Sequence, residues 1–321
     1  MRSLPINGTN ILVSQLICGC AGDIMQQGLD NSRMLDLSMD GGINTFDTAR
    51  QYGLSENSLG QWMKARKNRD KVVVLTKGCH PKNESLSVHR VSKAAIEEDL
   101  SASLKALDTD YIDIYLLHRD DISIPVSELI DTLEEYKKQG KVRCYGVSNW
   151  TMPRLLEAQD YARKMNCSGF LVNSPNYSLG IQVNDPWESG SEAISISGQD
   201  GKIYRDFFIE NNIPVFAYSS LCRGLFSGKF SSTNPEKATQ GMDMYAMRGY
   251  FSDENIKRLS RCEELAKEKG CTVAQMALAY LMNQKLQVHP IVSYSDEKHL
   301  NMNLESVNIK LSGDEIAFLE G

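Results

Sequence analysis

The sequence predicts an α/β protein of the (β/α)8 or TIM-barrel class. Three observations carry that expectation. Apolar runs of strand length alternate with helical periodicities from end to end, and eight such strands follow one another from Leu16 onward. No Gly/Pro/Ser-rich linker divides the series, so a closed parallel barrel in a single domain over residues 1–321 is expected. The alternative is a doubly wound open sheet, but the G-x-G-x-x-G phosphate turn it would need does not follow the first strand.

In chain order, Ile11-Leu12-Val13 and Leu16-Ile17-Cys18 are short strand-like runs, and a polar stretch with Leu29, Met34, Leu37 and Met39 follows. Ile43 to Phe46 alternates apolar and polar as a half-buried strand does, and Glu56 to Lys67 reads as helix. Val72 to Thr76 is a β-branched run. Val91, Ala95, Ile96, Leu100, Leu104 and Leu107 form one 3.6-period stripe, so a helix is expected over 88–107. YIDIYLL is a strand, and Val126 to Gln139 is a helix closed by Gly140. VRCYGV is the next strand, with Thr151 and Pro153 marking the helix after it. The second half continues with strands FLVN, IPVFAY and VHPIVSY. Helices are expected over 202–211, 253–269 and 272–283, from Ser295, and after Ser312.

Two segments are too long for ordinary βα loops, residues 176–201 and 220–250. Both follow strands, which places them on the C-terminal face of a barrel, where active-site walls are built.

Composition narrows the function. The 321 residues are 41% hydrophobic and 24% charged, with a net charge of −6. Mild acidity argues against a nucleic-acid partner. No apolar run approaches the roughly 20 residues that span a membrane, and MRSLPINGTN lacks a signal-peptide core, so a cytoplasmic protein is expected. The eight cysteines show no C-x-x-C pair, and Cys18 and Cys20 lack zinc-knuckle spacing, so reduced thiols and no metal are expected.

The chemistry lies at the strand ends. The stretch GINTFDTARQYGLSE closes its strand with Asp47 and carries Tyr52 beside Gly53; the next strands end on Lys77 and His118, and the fifth on Ser148-Asn149. Singly, Asp47 could cap a turn, Lys77 could be solvated, His118 could be a core histidine and Tyr52 could be packing. Their occurrence in three consecutive βα units favours a shared pocket, because a buried lysine requires a partner and Asp47 supplies one. A tyrosine ordinarily titrates near ~10. A nearby ammonium is expected to lower that value. Such a group can protonate an oxygen as charge builds on it, which carbonyl reduction requires. Glu56 reads as a first-turn acid favoured by the helix dipole.

GINTFDTARQYGLSE, VVVLTKG, YIDIYLLHRD and GVSNW together, in that order, resemble the aldo-keto reductases over nearly the whole chain. The resemblance implies a barrel preceded by a short N-terminal β-hairpin, and hydride transfer between NADPH and an aldehyde, ketone or sugar-type carbonyl. It implies Tyr52 as general acid, supported by Asp47, Lys77 and His118. It places Ser148 and Asn149 on the nicotinamide carboxamide, with Ser174 where the family has a glutamine, and Gly19, Cys20 and Asp47 along the same cofactor. Tyr218 matches the ring-stacking residue, and Ser219, Leu221, Ser227 and Lys229 the pyrophosphate-covering loop. SYSDEKHLNMN, with Ser293, Ser295, His299 and Asn303, matches the adenosine-phosphate site at a helix N-terminus, which suits an anion. Ser293 and His299 stand where lysine and arginine are common and Asp296 is close by, so NADH is the second candidate beside NADPH.

The partner expected is a small carbonyl or alcohol, with no nucleic acid or membrane. Trp187, Tyr245, Tyr250 and Phe251 could clamp a substrate or simply pack the loops. The competing readings are a slow cofactor-binding regulatory protein resembling the potassium-channel β subunits of this superfamily, and a metal-dependent sugar isomerase. The isomerase would need more inward carboxylates and histidines than Asp47 and His118.

Overall fold

The computed structural model describes residues 1–82, 85–187 and 192–321, which form two compact units, Met1–Ser174 and Pro175–Gly321.

The first unit opens with the hairpin of β1 (Ser3–Pro5) and β2 (Leu12–Ser14), paired antiparallel with Leu4 opposite Val13. Five parallel strands follow, each hydrogen-bonded to the next in chain order: β3 (Ile17–Gly19), β4 (Thr45–Asp47), β5 (Val73–Gly78), β6 (Ile112–Leu117) and β7 (Val142–Val147). Every residue of β4, β5 and β6 is buried, the mark of parallel strands covered on both faces. The helices are α1 (Asp23–Gln26), α2 (Ser32–Asp40), α3 (Ser55–Arg66), α4 (Lys93–Leu107), α5 (Val126–Lys138) and α6 (Met152–Met165). Their ends follow local chemistry. Gly140, just beyond α5, takes a positive φ of 75°, and Pro153 lies in the first turn of α6. The helix expected from Val88 instead begins at Lys93, because the Ser92 hydroxyl accepts from the Ala95 N–H and fixes the N-terminus there.

The register gathers the strand ends. Gly19 lies opposite Asp47, Asp47 opposite Leu75, and Lys77 opposite Leu116, so the residues at and just past these ends come together. The expected strand FLVN does not form a regular element. It runs beside β7 through Leu171 N–H to Tyr145 C=O (3.0 Å), Val147 N–H to Val172 C=O (3.2 Å) and Ser174 N–H to Val147 C=O (2.9 Å). The approach is so close that a Cβ at Gly146 would stand 2.1 Å from the Val172 carbonyl oxygen.

The second unit holds α7 (Lys202–Glu210), β8 (Val215–Ala217), α8 (Glu236–Gly241), α9 (Met244–Tyr250), α10 (Asp253–Glu268), α11 (Val273–Met282), β9 (Val288–Val292), α12 (Glu297–Glu305) and α13 (Gly313–Glu320). β8 and β9 pair in parallel, with Phe216 opposite His289. α11 and α13 both start with capping boxes, Thr272 with Gln275 and Ser312 with Glu315. The long segment after Asn176 is tied down by parallel bridges from Asn176 to Ser195 and to Tyr218, and the second long segment contains α8 and α9. Among the described residues, no helix is long and apolar enough to cross a membrane.

Candidate active site

The first unit brings together the four residues that the sequence singles out. Asp47 ends β4, Lys77 is the penultimate residue of β5, His118 directly follows β6, and Tyr52 lies in the loop before α3. That loop is held at several points. Thr48 Oγ1 donates to Ser55 Oγ at 3.0 Å, Ser55 Oγ donates to the Cys20 carbonyl at 2.6 Å, and Arg50 N–H donates to the Lys77 carbonyl at 2.9 Å. Gly53 turns the chain with a φ of 52°, and its missing Cβ would meet the Gln26 carbonyl oxygen at 2.6 Å. Tyr52 is thereby fixed by the loop's own hydrogen bonding.

Lys77 Nζ donates to Asp47 Oδ1 as a buried ion pair, and to the Thr48 carbonyl at 3.0 Å. Its ammonium lies 5.1 Å from the Tyr52 ring centroid, close enough for each group to act on the other's charge. Burial opposes the lysine's charge, but Asp47 and Tyr52 outweigh it, and Lys77 is held above its usual 10.5. Burial also raises Asp47 against the pull of Lys77. In this tightly coupled pair the lysine's direction stands, because Asp47 Oδ1 and the Thr48 carbonyl both accept from the one ammonium.

The expectation that Lys77 lowers the tyrosine's pKa is corrected in its net direction. Tyr52 is raised above 10.0, first by burial and then by the Asp47 carboxylate, against opposing effects of Lys77 and Arg119. The ring is half-buried, yet its titrating end is enclosed, and burial wins. Tyr52 is therefore a phenol across the neutral range. The His118 ring meets the Tyr52 ring edge-on at 5.8 Å. Burial, then Arg119, His80 and Lys77, hold His118 well below its usual value, so it is neutral. Its Nδ1 is buried without a hydrogen-bond partner.

A second group of polar side chains lies past β7. Ser148 Oγ donates to the Ser174 carbonyl at 2.5 Å and Asn149 Nδ2 donates to Ser148 Oγ at 3.0 Å, all three residues being buried. Gly19 pairs with Asp47, and the Cys20 N–H donates to the Asp47 carbonyl at 2.8 Å.

In the second unit, Tyr218 follows β8, half-exposed, with the Trp187 ring 6.0 Å away. Ser219 has a φ of 51°, Leu221 precedes a tight turn, and Ser227 Oγ closes that turn by donating to the Gly224 carbonyl at 2.7 Å. Lys229 is exposed. At α12, Ser293 and Ser295 are exposed and Asn303 is buried. The helix N-terminus carries its own acid: Asp296 Oδ1 accepts from the His299 N–H at 2.8 Å, and Oδ2 lies 3.0 Å from His299 Nδ1. Tyr250 is fully buried, its hydroxyl accepting from Asn176 Nδ2 at 2.5 Å, so it packs the core. Arg223 stands over both Trp187 and Tyr245, at 5.8 and 5.4 Å from their ring centroids.

Two residues of the first unit, His80 and Arg119, escaped the sequence reading, and a third, Glu56, does more than the first-turn role read for it. Glu56 is fully buried, accepts from Thr76 Oγ1 at 2.7 Å and pairs with Arg50, so it ties the tyrosine loop to β5 beyond any effect of the helix dipole. The His80 ring meets the His118 ring edge-on at 4.8 Å, and Arg119 directly follows His118 in the chain. The signal for both lay in their position just beyond β5 and β6, where side chains face the reaction in barrel enzymes.

Comparison with known proteins shows the family and the fold class. The aldo/keto reductase family model matches residues 29–321, and the chain belongs to that family. It is 28% identical to the uncharacterized oxidoreductase YrpG of Bacillus subtilis, over 99% of this chain and 95% of that protein. It is 27% identical to the aryl-alcohol dehydrogenase [NADP(+)] of Phanerodontia chrysosporium, over 89% of this chain and 74% of that one. The solved aldo/keto reductase of Klebsiella pneumoniae, in complex with NADP and acetate, superposes with a TM-score of 0.68 at 24% identity, covering 96% of this chain and 91% of that chain. The fold class is the (β/α)8 barrel that the sequence predicts.

Proposed function

We propose that this protein is an NAD(P)H-dependent oxidoreductase that transfers a hydride between the nicotinamide and an aldehyde, ketone or sugar-type carbonyl, with Tyr52 as general acid and, in the reverse direction, general base. The observation that carries this reading is the Tyr52 phenol beside an ammonium that Asp47 secures, next to a neutral histidine with a buried, unspent ring nitrogen. An orphaned buried nitrogen calls for a polar partner, and a carbonyl oxygen is a fitting one.

The residues suit a nicotinamide cofactor at one end. Ser148, Asn149 and Ser174 supply buried amide and hydroxyl groups for a carboxamide, beside Gly19, Cys20 and Asp47. Tyr218 offers a half-exposed ring, and Ser219, Leu221, Ser227 and Lys229 are proposed to cover the pyrophosphate. Ser293, Ser295, His299 and Asn303 are proposed for the adenosine phosphate. NADPH is favoured by family membership and by the NADP-bound relative, and NADH by the carboxylate of Asp296 at that helix end. The cofactor supplies a hydride at the carbonyl carbon.

The chain supplies the rest. His118, uncharged, donates from a ring nitrogen to the substrate oxygen and orients it. Tyr52 O–H transfers its proton to that oxygen as negative charge grows there. Lys77 stabilises the phenolate left behind, and Asp47 holds the lysine in place. In the oxidative direction the same phenolate accepts the alcohol proton.

The test is a stopped-flow and steady-state screen of aldehydes, ketones and sugars with NADPH and NADH, repeated with Tyr52→Phe. Absorbance loss at the nicotinamide band that Tyr52→Phe abolishes supports the reading. Tight cofactor binding with no turnover of any carbonyl would replace it with a cofactor-binding regulatory role.

A further inference from the structure

The sequence HRDD, residues 118–121, invites the view that Arg119 is neutralised by the acids beside it, but the structure spends both elsewhere. Asp120 accepts from Arg154 at both oxygens, Oδ2 from Nε at 2.9 Å and Oδ1 from Nη2 at 3.1 Å. Asp121 Oδ1 caps the next turn, accepting from the Ser123 N–H at 3.0 Å and from Ser123 Oγ at 2.6 Å. Arg119 itself donates Nη1 to the His118 carbonyl at 2.9 Å, and among the described residues it pairs with no carboxylate. A guanidinium has five N–H donors in a planar fork.

Among the described residues, nothing in its surroundings cancels that charge. Asp47 is matched by Lys77. His118 is neutral, and burial and Arg119 lower His80 to about 4, so His80 is neutral as well. The His80 and His118 rings are 4.8 Å apart, the Tyr52 ring is 5.8 Å beyond, and the charge of Arg119 is felt at all three. Arg119, Tyr52 and His80 are each only partly buried, so the fork is open to a ligand. A half-buried guanidinium that meets no counter-ion among the described residues, beside a buried imidazole nitrogen that meets no partner among them, suits a ligand that brings a carbonyl oxygen and an anion together.

We propose that Arg119 is a specificity-determining residue that binds a carboxylate on the substrate, so that the compound reduced is an acid-bearing aldehyde or ketone. This deepens the oxidoreductase reading and rests on it. The carboxylate lies against the guanidinium fork while the carbonyl oxygen meets His118 and Tyr52, and the substrate's one charge sets its orientation.

Two matched pairs of probes test it: succinic semialdehyde against butanal, and 4-carboxybenzaldehyde against benzaldehyde. Each is assayed for kcat/KM with the better cofactor in the wild type, Arg119→Met and Arg119→Lys. In the wild type the acid of at least one pair is expected to be preferred by about tenfold to a hundredfold, what one charge-assisted hydrogen bond contributes. Arg119→Met is expected to bring that ratio down to about one, and Arg119→Lys to restore part of it, since a lysine keeps the charge and loses the fork. A ratio near one for both pairs in the wild type, or a preference unchanged in Arg119→Met, overturns the role of Arg119 while leaving the oxidoreductase reading intact. No turnover of any of the four compounds, with either cofactor and with the protein folded by circular dichroism, overturns the oxidoreductase reading and the proposal with it.

Discussion

Thr76 Oγ1 donates to Glu56 Oε1 at 2.7 Å, linking the second half of β5 to the first turn of α3. Glu56 is fully buried and its other oxygen pairs with Arg50, whose own N–H bonds the Lys77 carbonyl. One carboxylate thus locks both ends of the Tyr52 loop to the strand that carries Lys77. Removing it as Glu56→Ala strands the Arg50 charge and the Thr76 hydroxyl, and is expected to cost about 3 kcal/mol. Glu56→Gln keeps the shape and one acceptor and is expected to cost about 1 to 2 kcal/mol. Urea denaturation of both variants checks this. Because Glu56 positions the tyrosine without touching substrate, kcat is expected to fall in Glu56→Gln while cofactor affinity, read by fluorescence, stays as it was.

Tyr52→Phe removes the proton donor alone. The ring keeps its contacts with His118 and Lys77, so stability is expected to change little, while kcat for carbonyl reduction falls about 10²- to 10⁴-fold, the usual share of general acid catalysis. The pH dependence follows from the direction of the shift. The phenol must be protonated to donate, and it is held above 10.0, so the reductive kcat is expected to be flat from pH 7 to 9 and to fall only beyond pH 10. A reductive rate already falling between pH 7 and 8, by steady-state kinetics, would show that the tyrosine titrates lower than its burial dictates.

The Asp47–Lys77 pair gives a stability prediction with a definite sign. Lys77 is raised above 10.5, so the folded state holds its proton more tightly than the unfolded chain does. The stabilisation is therefore complete below the lysine's ordinary value and is lost as pH rises through the folded one. Urea unfolding between pH 8 and 11.5 is expected to show wild-type stability falling at the alkaline end more steeply than in Lys77→Met, where nothing titrates at that position. At pH 8, Lys77→Met leaves Asp47 buried and unpaired and is expected to cost about 3 kcal/mol or more.

The parts of the site that could be read from the sequence are those fixed by strand periodicity. Asp47, Lys77 and His118 each lie at or just past the end of a run whose apolar pattern marks it as a buried strand, and in-register parallel pairing brings such ends together. Side-chain direction within a loop or a first helical turn is not written in periodicity. Glu56 carries the sequence pattern of a dipole-stabilising acid, and only the packing of α3 on β5 turns it inward to Thr76. Phe170 to Asn173 has a strand's composition, but its contact with Gly146 allows only a short irregular ladder. Arg119 stands beside two acids in the sequence, and only the structure shows that Arg154 and Ser123 take up their oxygens. The rise in the tyrosine's pKa needed the balance between burial and charge, and a sequence supplies only the charges.

The last prediction concerns cofactor choice. Asp296 accepts the His299 N–H at 2.8 Å and is held below the usual carboxylate range chiefly by that bond, so it is ionised at any pH where the protein works. A negative charge at the first turn of α12 stabilises the helix, but it opposes any further anion placed there. In the proposed adenosine site this would weigh against the extra phosphate of NADPH and leave NADH untouched. Asp296→Ser keeps a hydroxyl cap for the His299 N–H while removing the charge. The KM for NADPH is expected to fall about threefold relative to that for NADH, a modest change in keeping with an exposed, solvent-screened charge. The difference should shrink as salt is raised from 0.05 to 0.5 M, because screening acts on the charge and not on the cap. Parallel titrations of both cofactors at the two salt concentrations measure it. An unchanged NADPH-to-NADH ratio in Asp296→Ser would place the adenosine phosphate away from this helix end.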